Sequence, residues 1–410
     1  MKGISVLTGI LICIIAAGSG ILIPMDNEQN DHLRAYGIVY NMLQQNVKSH
    51  WLLGYRGGAF IIESSDAISL CTEKGVSFFE ITDSRKSHIL SSMEKNGQKA
   101  VLLEKAPRIA VYSPPDKDPW DDAVTLALEY ASIEYDVIYD TEILNGKLYK
   151  YDWLHLHHED FTGQFDRFYM SAFNTPWFQK MYKRTINTAQ KLGYSKYWIM
   201  KRDVAGRIAG YVEKGGFLFS MCSGTNSLDI ALAIGNQDNI PAVLDNDGME
   251  SIEPDYSRTM AFEGFELNNS STLNLADINY EPPERMLWQN QKFKLRVFAP
   301  LIDPVEAMLT QNHRLYIDEF LGRTTAYRKQ KIRGDVVILA DACDNRLAKY
   351  IHGNYGKGFF TFFAGHDPED YVHYVNDPPT DLNLHRNSPG YRLILNNVLF
   401  PASGQKKKKT

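Results

Sequence analysis

The sequence lacks an excess of basic residues, because its 44 Lys and Arg are outnumbered by 49 Asp and Glu. Nucleic-acid-binding domains usually carry a strong positive charge, so we predict no nucleic-acid partner for this chain. Cysteine is also scarce, with four residues in 410 and no pair at the C-x-x-C spacing that is typical of structural zinc sites. The one basic cluster, residues 406–409, is predicted to belong to a solvated tail over residues 401–410.

Apolar residues are plentiful, by contrast. They make up 44% of the chain, which is enough to bury a large core and to exclude wholesale disorder. Short apolar runs that are typical of buried strands alternate with helical patterns, which predicts an α/β fold with a mostly parallel sheet and helices on both faces. In such folds the active site lies beyond the carboxyl ends of the strands. The predicted strands are residues 21–25, 51–53, 59–62, 108–112, 135–139, 153–157, 216–221, 335–340 and 358–364.

The first twenty residues have the pattern of an export signal. Lys2 precedes an apolar stretch at residues 4–17, and the small residues at 16–20 are typical of a cleavage zone. We therefore predict an exported protein, either periplasmic or associated with the cell envelope. A retained membrane anchor is the alternative, because apolar character resumes at residues 21–23.

Cys222 stands between a strand-like run and a helical pattern. The run at residues 216–221 precedes it, Ser223 follows, and a helical pattern covers residues 228–234. This order is typical of a nucleophile elbow, in which a sharp turn presents a reactive side chain at a helix N-terminus that favours the thiolate. We predict Cys222 as a nucleophile; a buried core cysteine is the alternative.

His366 is the histidine best placed to act as the base that a thiol nucleophile needs. It follows the apolar run at residues 358–364, and Asp367 and Glu369 come one and three residues later. We predict that Glu369 or Asp367 orients the imidazole, as in a catalytic triad. A loop histidine hydrogen-bonded to nearby carboxylates is the alternative.

Further groups are predicted to stabilise the oxyanion and to bind the substrate. The backbone N–H of Ser223 is the first oxyanion donor, and the candidates for the second are Gly57, Gly58 and the loop after His157. Arg56 carries the planar fork that binds a carboxylate, although a surface arginine in a turn is the alternative. The predicted substrate-binding residues are Arg56, His157, His158 and Glu159.

Imidazoles and carboxylates near residue 157 also permit a metal interpretation, because these ligand types suit zinc. No H-E-x-x-H or comparable fixed spacing occurs, so we predict neither a metal nor another cofactor. The alternative is a metal site formed by His155, His157 and His366.

The order of these motifs resembles the class I glutamine amidotransferase-like superfamily. Cys222 and Gly224 match the elbow of that family, and His366 matches its late histidine. Glu369 matches the family's glutamate with one extra residue, and Ser220 stands where the family usually has glycine. The segments 22–26, 157–161 and 365–371 are similar to exported Bacteroidetes-type proteins that are often labelled asparagine synthetase B.

The resemblance implies a flavodoxin-like three-layer sandwich with a mostly parallel sheet. We expect one such domain over residues 21–400, with insertions at about 160–193 and 236–333. It also implies a cysteine-dependent hydrolase acting on an amide or related acyl bond of a small molecule or peptide. The alternatives are a metal-dependent or sugar-related enzyme, similar to trehalose-utilisation proteins, and a non-catalytic binding protein of the envelope.

Overall fold

The computed structural model describes residues 20–115, 121–268, 274–280, 292–318, 320, 324–342, 344–370 and 375–403. Most of the predicted export signal and of the predicted basic tail lies outside these ranges, so both stay predictions. None of the helices in these ranges is both long enough and apolar enough to span a membrane.

Residues 20–103 form a five-stranded sheet in the order β4-β1-β3-β2-β5, and all of its pairings are antiparallel. The turn between β2 and β3 requires glycine, because Gly57 has a φ of +71° and a Cβ there would lie 2.3 Å from the carbonyl oxygen of Met25. The elements are β1 (Gly20–Ile23), α1 (His32–Gln44), β2 (Ser49–Leu53), β3 (Ala59–Ile62), α2 (Ala67–Lys74), β4 (Phe79–Ile81), α3 (Asp83–Lys95) and β5 (Lys99–Leu103).

The rest of the chain builds an eleven-stranded sheet in the order β12-β11-β14-β15-β16-β9-β8-β6-β7, in which β13 also pairs with β15 and β10 with β13. Its strands are β6 (Ile109–Tyr112), β7 (Asp136–Ile138), β8 (Trp153–Leu156), β9 (Phe217–Met221), β10 (Asn279–Tyr280), β11 (Lys292–Leu295), β12 (Tyr316–Asp318), β13 (Ala326–Arg328), β14 (Val337–Asp341), β15 (Leu347–Tyr355) and β16 (Gly358–Phe363).

The predicted flavodoxin-like three-layer sandwich with a mostly parallel sheet is wrong. Only the neighbouring strands β7, β6, β8, β9 and β16 run parallel, and the other six strands of the large sheet join through antiparallel pairings. The apolar runs at residues 21–25, 51–53 and 59–62 belong to the separate antiparallel sheet. The prediction failed because an apolar run indicates a buried strand but carries no information on strand direction or partner.

Helices cover both faces of the parallel strands. Phe217, Phe219 and Met221 of β9 face a core shared with α1, whereas Leu218 faces a second core shared with α8. This alternation is the two-residue period of a strand that is buried on both faces. The helices of this part are α4 (Ala123–Ala131), α5 (Asp140–Leu144), α6 (Tyr169–Ala172), α7 (Pro176–Lys191), α8 (Tyr197–Glu213), α9 (Ser223–Ile234), α10 (Ala242–Asp245), α11 (Pro304–Leu309) and α12 (Pro389–Leu399).

The two predicted insertions have different structures. Residues 160–193 contain α6 and α7, whose aromatic side chains pack with those of α8 in a small separate core. Residues 236–333 supply β10 to β13, which extend the large sheet on its antiparallel side. The second segment is therefore part of the sheet and not only a cap over it.

Candidate active site

Cys222 lies at the turn between β9 and α9. Its φ of 47° and ψ of −134° are sparsely populated for a residue with a side chain, as the predicted elbow requires. The backbone N–H of Cys222 donates to the carbonyl oxygen of Phe363 at 3.1 Å, which ties the turn to the end of β16. A Cβ on Gly224 would lie 2.5 Å from the carbonyl oxygen of His157, so only glycine lets α9 start this close to the end of β8.

His366 follows β16 and faces the thiol. Its Nε2 lies 3.2 Å from Sγ of Cys222, which is hydrogen-bond distance for sulfur. Both residues are buried, with 0% of Cys222 and 7% of His366 exposed. Gly365 allows the approach, because its φ is +101° and a Cβ there would lie 2.1 Å from the carbonyl oxygen of Phe320. The structure thus brings the two principal predicted residues together.

The two predicted orienting carboxylates face other groups. Oε2 of Glu369 lies 3.4 Å from Nδ1 of His385, a different histidine. Asp367 is fully buried, and its carboxylate lies in an acidic cluster with Asp121 and Asp370, with one oxygen from each residue within 4.8 Å of the others. The triad-like role of Glu369 and Asp367 therefore stays a prediction.

Three imidazoles converge beside the thiol. The ring centroids of His157 and His158 are 3.6 Å apart, and those of His158 and His366 are 4.2 Å apart. His155, the other predicted metal ligand, is fully buried, and both of its ring nitrogens face other groups: Nδ1 lies 3.2 Å from the carbonyl oxygen of Phe219 and Nε2 lies 3.0 Å from Oδ2 of Asp122. The histidine cluster is therefore His157–His158–His366, with His158 in the place that the sequence interpretation gave to His155.

Asp122 is a site residue that the sequence interpretation missed. Its Oδ1 caps α4 by accepting from the backbone N–H groups of Val124 and Thr125, and its Oδ2 lies 3.0 Å from Nε2 of His155 and 3.2 Å from Nδ1 of His157. Burial opposes ionisation, but the two histidines outweigh it and hold the pKa of the carboxyl well below its usual range. The sequence shows that Asp122 can cap a helix, but it does not show that the same carboxylate also faces His155 and His157.

A cavity of about 710 Å³ opens onto this cluster. The predicted substrate-binding residues His157, His158 and Glu159 line it, whereas Cys222 is fully buried. Among the described residues, the lining includes six carboxylate side chains and two cationic ones. The carboxylates are Asp121, Asp122, Glu129, Glu159, Asp160 and Asp166, and the cations are Arg184 and Lys201.

Lys201 fixes the polar wall of the cavity. Its Nζ donates to the hydroxyl of Tyr112 at 2.9 Å and to Asp140 Oδ1 at 3.1 Å, and it lies 3.7 Å from Oε2 of Glu159. Burial lowers the pKa of Lys201, but Asp140, Tyr139 and Glu159 raise it by more than burial lowers it. The pKa therefore lies above its usual value, and the ammonium stays charged. Sequence reasoning missed this residue because it lies within α8, where only the fold shows which face of the helix is buried.

The remaining predicted residues belong to the other sheet. The guanidinium of Arg56 pairs with Asp26 through Nε at 2.7 Å and with Glu28 through Nη2 at 2.6 Å. Gly57 accepts a hydrogen bond from Arg392, and the N–H of Gly58 donates to the carbonyl oxygen of Tyr55. The structure therefore gives Arg56, Gly57 and Gly58 structural contacts in the β2–β3 hairpin.

No family model matches the chain, and no curated protein does. Among solved structures, it is similar to cytoplasmic proteins STM3548 from Salmonella typhimurium and STM1381 from Salmonella typhimurium LT2. Each is 12% identical to this chain, with a TM-score of 0.36. Each match covers 72% of this chain, and it covers 97% of STM3548 and 99% of STM1381. A beta-galactosidase from Bacillus circulans sp. alkalophilus is 12% identical with a TM-score of 0.25, covering 64% of this chain and 29% of its own. At these TM-scores the likenesses indicate no function.

Proposed function

We propose that the protein is a thiol hydrolase that cleaves an amide or related acyl bond, with Cys222 as the nucleophile and His366 as the proton-transfer group. The observation that carries the proposal is the 3.2 Å separation of Sγ and Nε2 at a turn with positive φ. A nucleophile and a base within hydrogen-bond reach are the minimum that covalent catalysis requires.

The reaction runs through a thioester. Nε2 of His366 takes the proton of the thiol, and sulfur attacks the carbonyl carbon to give a tetrahedral intermediate. The C–N bond then breaks, and His366 returns the proton to the leaving amine. A water molecule, deprotonated by His366, attacks the thioester, so that a carboxylic acid leaves and the thiol is restored.

The start of α9 supplies the best oxyanion donor. The backbone N–H of Ser223 is the first of the helix and has no acceptor within it, whereas the N–H of Gly224 donates to the carbonyl oxygen of His157 at 2.7 Å. The partial positive charge of the helix N-terminus adds to the stabilisation of negative charge on sulfur and on the oxyanion. Gly57 and Gly58 are not part of this proposal.

The cavity indicates how the substrate approaches. His157 and His158 line it, so a bound substrate lies beside the histidine cluster that contains His366. Because carboxylates outnumber cations by six to two among the described lining residues, the cavity favours substrates that carry an amine or several N–H donors. Small carboxamides and amino-terminal amides fit this description.

The test compares Cys222→Ala with Cys71→Ala on a panel of L-glutamine, L-asparagine, aminoacyl amides and the activated ester p-nitrophenyl acetate. We expect hydrolysis by the unaltered protein and by Cys71→Ala, and an acyl adduct on Cys222 by mass spectrometry. Cys71 is a suitable control because it is a buried free thiol whose pKa burial raises to about 12. Equal turnover by Cys222→Ala and the unaltered protein would exclude the mechanism.

A further inference from the structure

The cluster of His157, His158 and His366 has the composition of a metal site. One ring nitrogen from each residue lies within 4.8 Å of the other two. His157 and His158 follow β8 and His366 follows β16, so the ends of two strands of the parallel part hold the three rings. Strands in a packed sheet are rigid supports for such a group.

His157 is the residue of the cluster whose surroundings point most directly to a ligand. It is 5% exposed, and its Nδ1 lies 3.2 Å from Oδ2 of Asp122. Its Nε2 is buried and has no hydrogen-bond partner among the described residues. Burial without a partner is unfavourable for a polar nitrogen, and coordination of an ion would satisfy it.

Asp122 gives His157 the surroundings of a metal ligand. Histidines that bind metals usually face a carboxylate with their second nitrogen, which fixes the ring and makes the coordinating nitrogen more basic. Asp122 is itself held by its capping bonds to the start of α4 and by His155. The unpartnered Nε2 of His157 is therefore oriented before any ion arrives.

We propose that His157, His158 and His366 bind one divalent transition-metal ion of the zinc class. The metal-bound form is inactive as a hydrolase, because the coordinated imidazole of His366 can no longer accept the proton of the thiol. Three imidazoles suit zinc, cobalt and nickel, whereas magnesium and calcium prefer oxygen ligands. Ligand nitrogens in a tetrahedral zinc site are about 3.3 Å apart, given Zn–N bonds near 2.05 Å, and the three imidazole nitrogens lie within 4.8 Å of one another. His158 is the least buried of the three rings, so it has the most freedom to adjust to an ion.

The experiment is a titration of the chelator-treated full chain with ZnCl₂ by calorimetry, and with CoCl₂ by visible absorption. We expect one equivalent of metal per chain and the d–d bands of tetrahedral cobalt. His158→Ala should weaken binding at least tenfold, because one of three ligands is lost. His88→Ala is the matched control, since it removes an exposed histidine on α3 and should leave the affinity unchanged.

Two further variants keep the outcome unambiguous. His366→Gln removes a second ligand and replaces His158→Ala if that variant does not fold. Cys222→Ser should bind metal with unchanged affinity, which separates this inference from the thiol mechanism, since that variant abolishes only hydrolysis. Absence of cobalt bands in the unaltered protein, or equal affinity in the unaltered protein, His158→Ala and His366→Gln, would overturn the proposal.

Discussion

Two groups of buried and half-buried histidines lie in different regions of this molecule. His32 and His313 stack in parallel at 4.8 Å beside Arg392, where α1 and α12 meet the antiparallel sheet. Nδ1 of His32 lies 3.0 Å from Oδ1 of Asn387, and its Nε2 lies 3.1 Å from the carbonyl oxygen of Met25. Burial and the charge of Arg392 lower the pKa of His32 to about 4 and that of His313 to about 3.

The histidines at the strand ends have the opposite surroundings. His157 faces the carboxylate of Asp122, and His366 faces the thiol of Cys222. The first pair is kept neutral beside a cation and joins elements of structure, whereas the second group lies beside groups that accept or release protons. Burial alone therefore does not distinguish a structural histidine from a chemically active one. The groups that face the imidazole make that distinction.

The largest expected effect is a difference in hydrolytic activity between variants of the two histidine groups. His366→Gln should lower kcat/KM by roughly 10⁴-fold, because it removes the base of a nucleophile–base pair. His313→Gln should change kcat/KM by less than about twofold, since it lies with the structural pair. Steady-state kinetics on the substrate found in the panel, with circular dichroism to verify folding, would measure both. Similar losses in the two variants would contradict the division.

The next effect concerns stability. Arg392 is fully buried and donates to Met25, to Gly57 and to the hydroxyl of Tyr36, so Arg392→Leu removes three hydrogen bonds at once. We expect the free energy of unfolding to fall by about 3–4 kcal/mol in urea titrations. Arg56→Leu is the control: its ion pairs are partly exposed, and the loss should stay within about 1 kcal/mol.

Acid should destabilise the structural group. Because the folded pKa of His32 is about 4, below the usual 6.5, the unfolded chain binds more protons between these values. Stability present above pH 6.5 is therefore lost as the pH falls towards 4, by on the order of 3 kcal/mol. His32→Gln should lose less stability than the unaltered protein when urea titrations at pH 7 and pH 4.5 are compared. Parallel losses in both proteins would show that His32 is not the source.

The smallest effect sharpens the account of the site. Glu369 faces His385, so Glu369→Gln should lower kcat/KM by less than about fivefold. A loss of a hundredfold or more would restore Glu369 to the orienting role that its place in the sequence predicts.

The sequence was sufficient to place Cys222 and His366 near one another. Each follows an apolar run, and the carboxyl ends of neighbouring parallel strands meet at one edge of a sheet, as β9 and β16 do. The sequence was insufficient to show where Arg56, Gly57 and Gly58 lie. Nothing in an apolar run indicates that β2 and β3, which flank them, belong to a second, antiparallel sheet. Asp122 and Lys201 were missed because their partners come from distant segments.

The most direct measurement of the central claim is the rate at which iodoacetamide alkylates each cysteine at pH 7, followed by peptide mass spectrometry. We expect Cys222 to react faster than Cys71, which is equally buried, and His366→Gln to slow Cys222 at least tenfold. If Cys222 reacts no faster than Cys71, or if His366→Gln leaves its rate unchanged, the pairing of Cys222 and His366 has no chemical role.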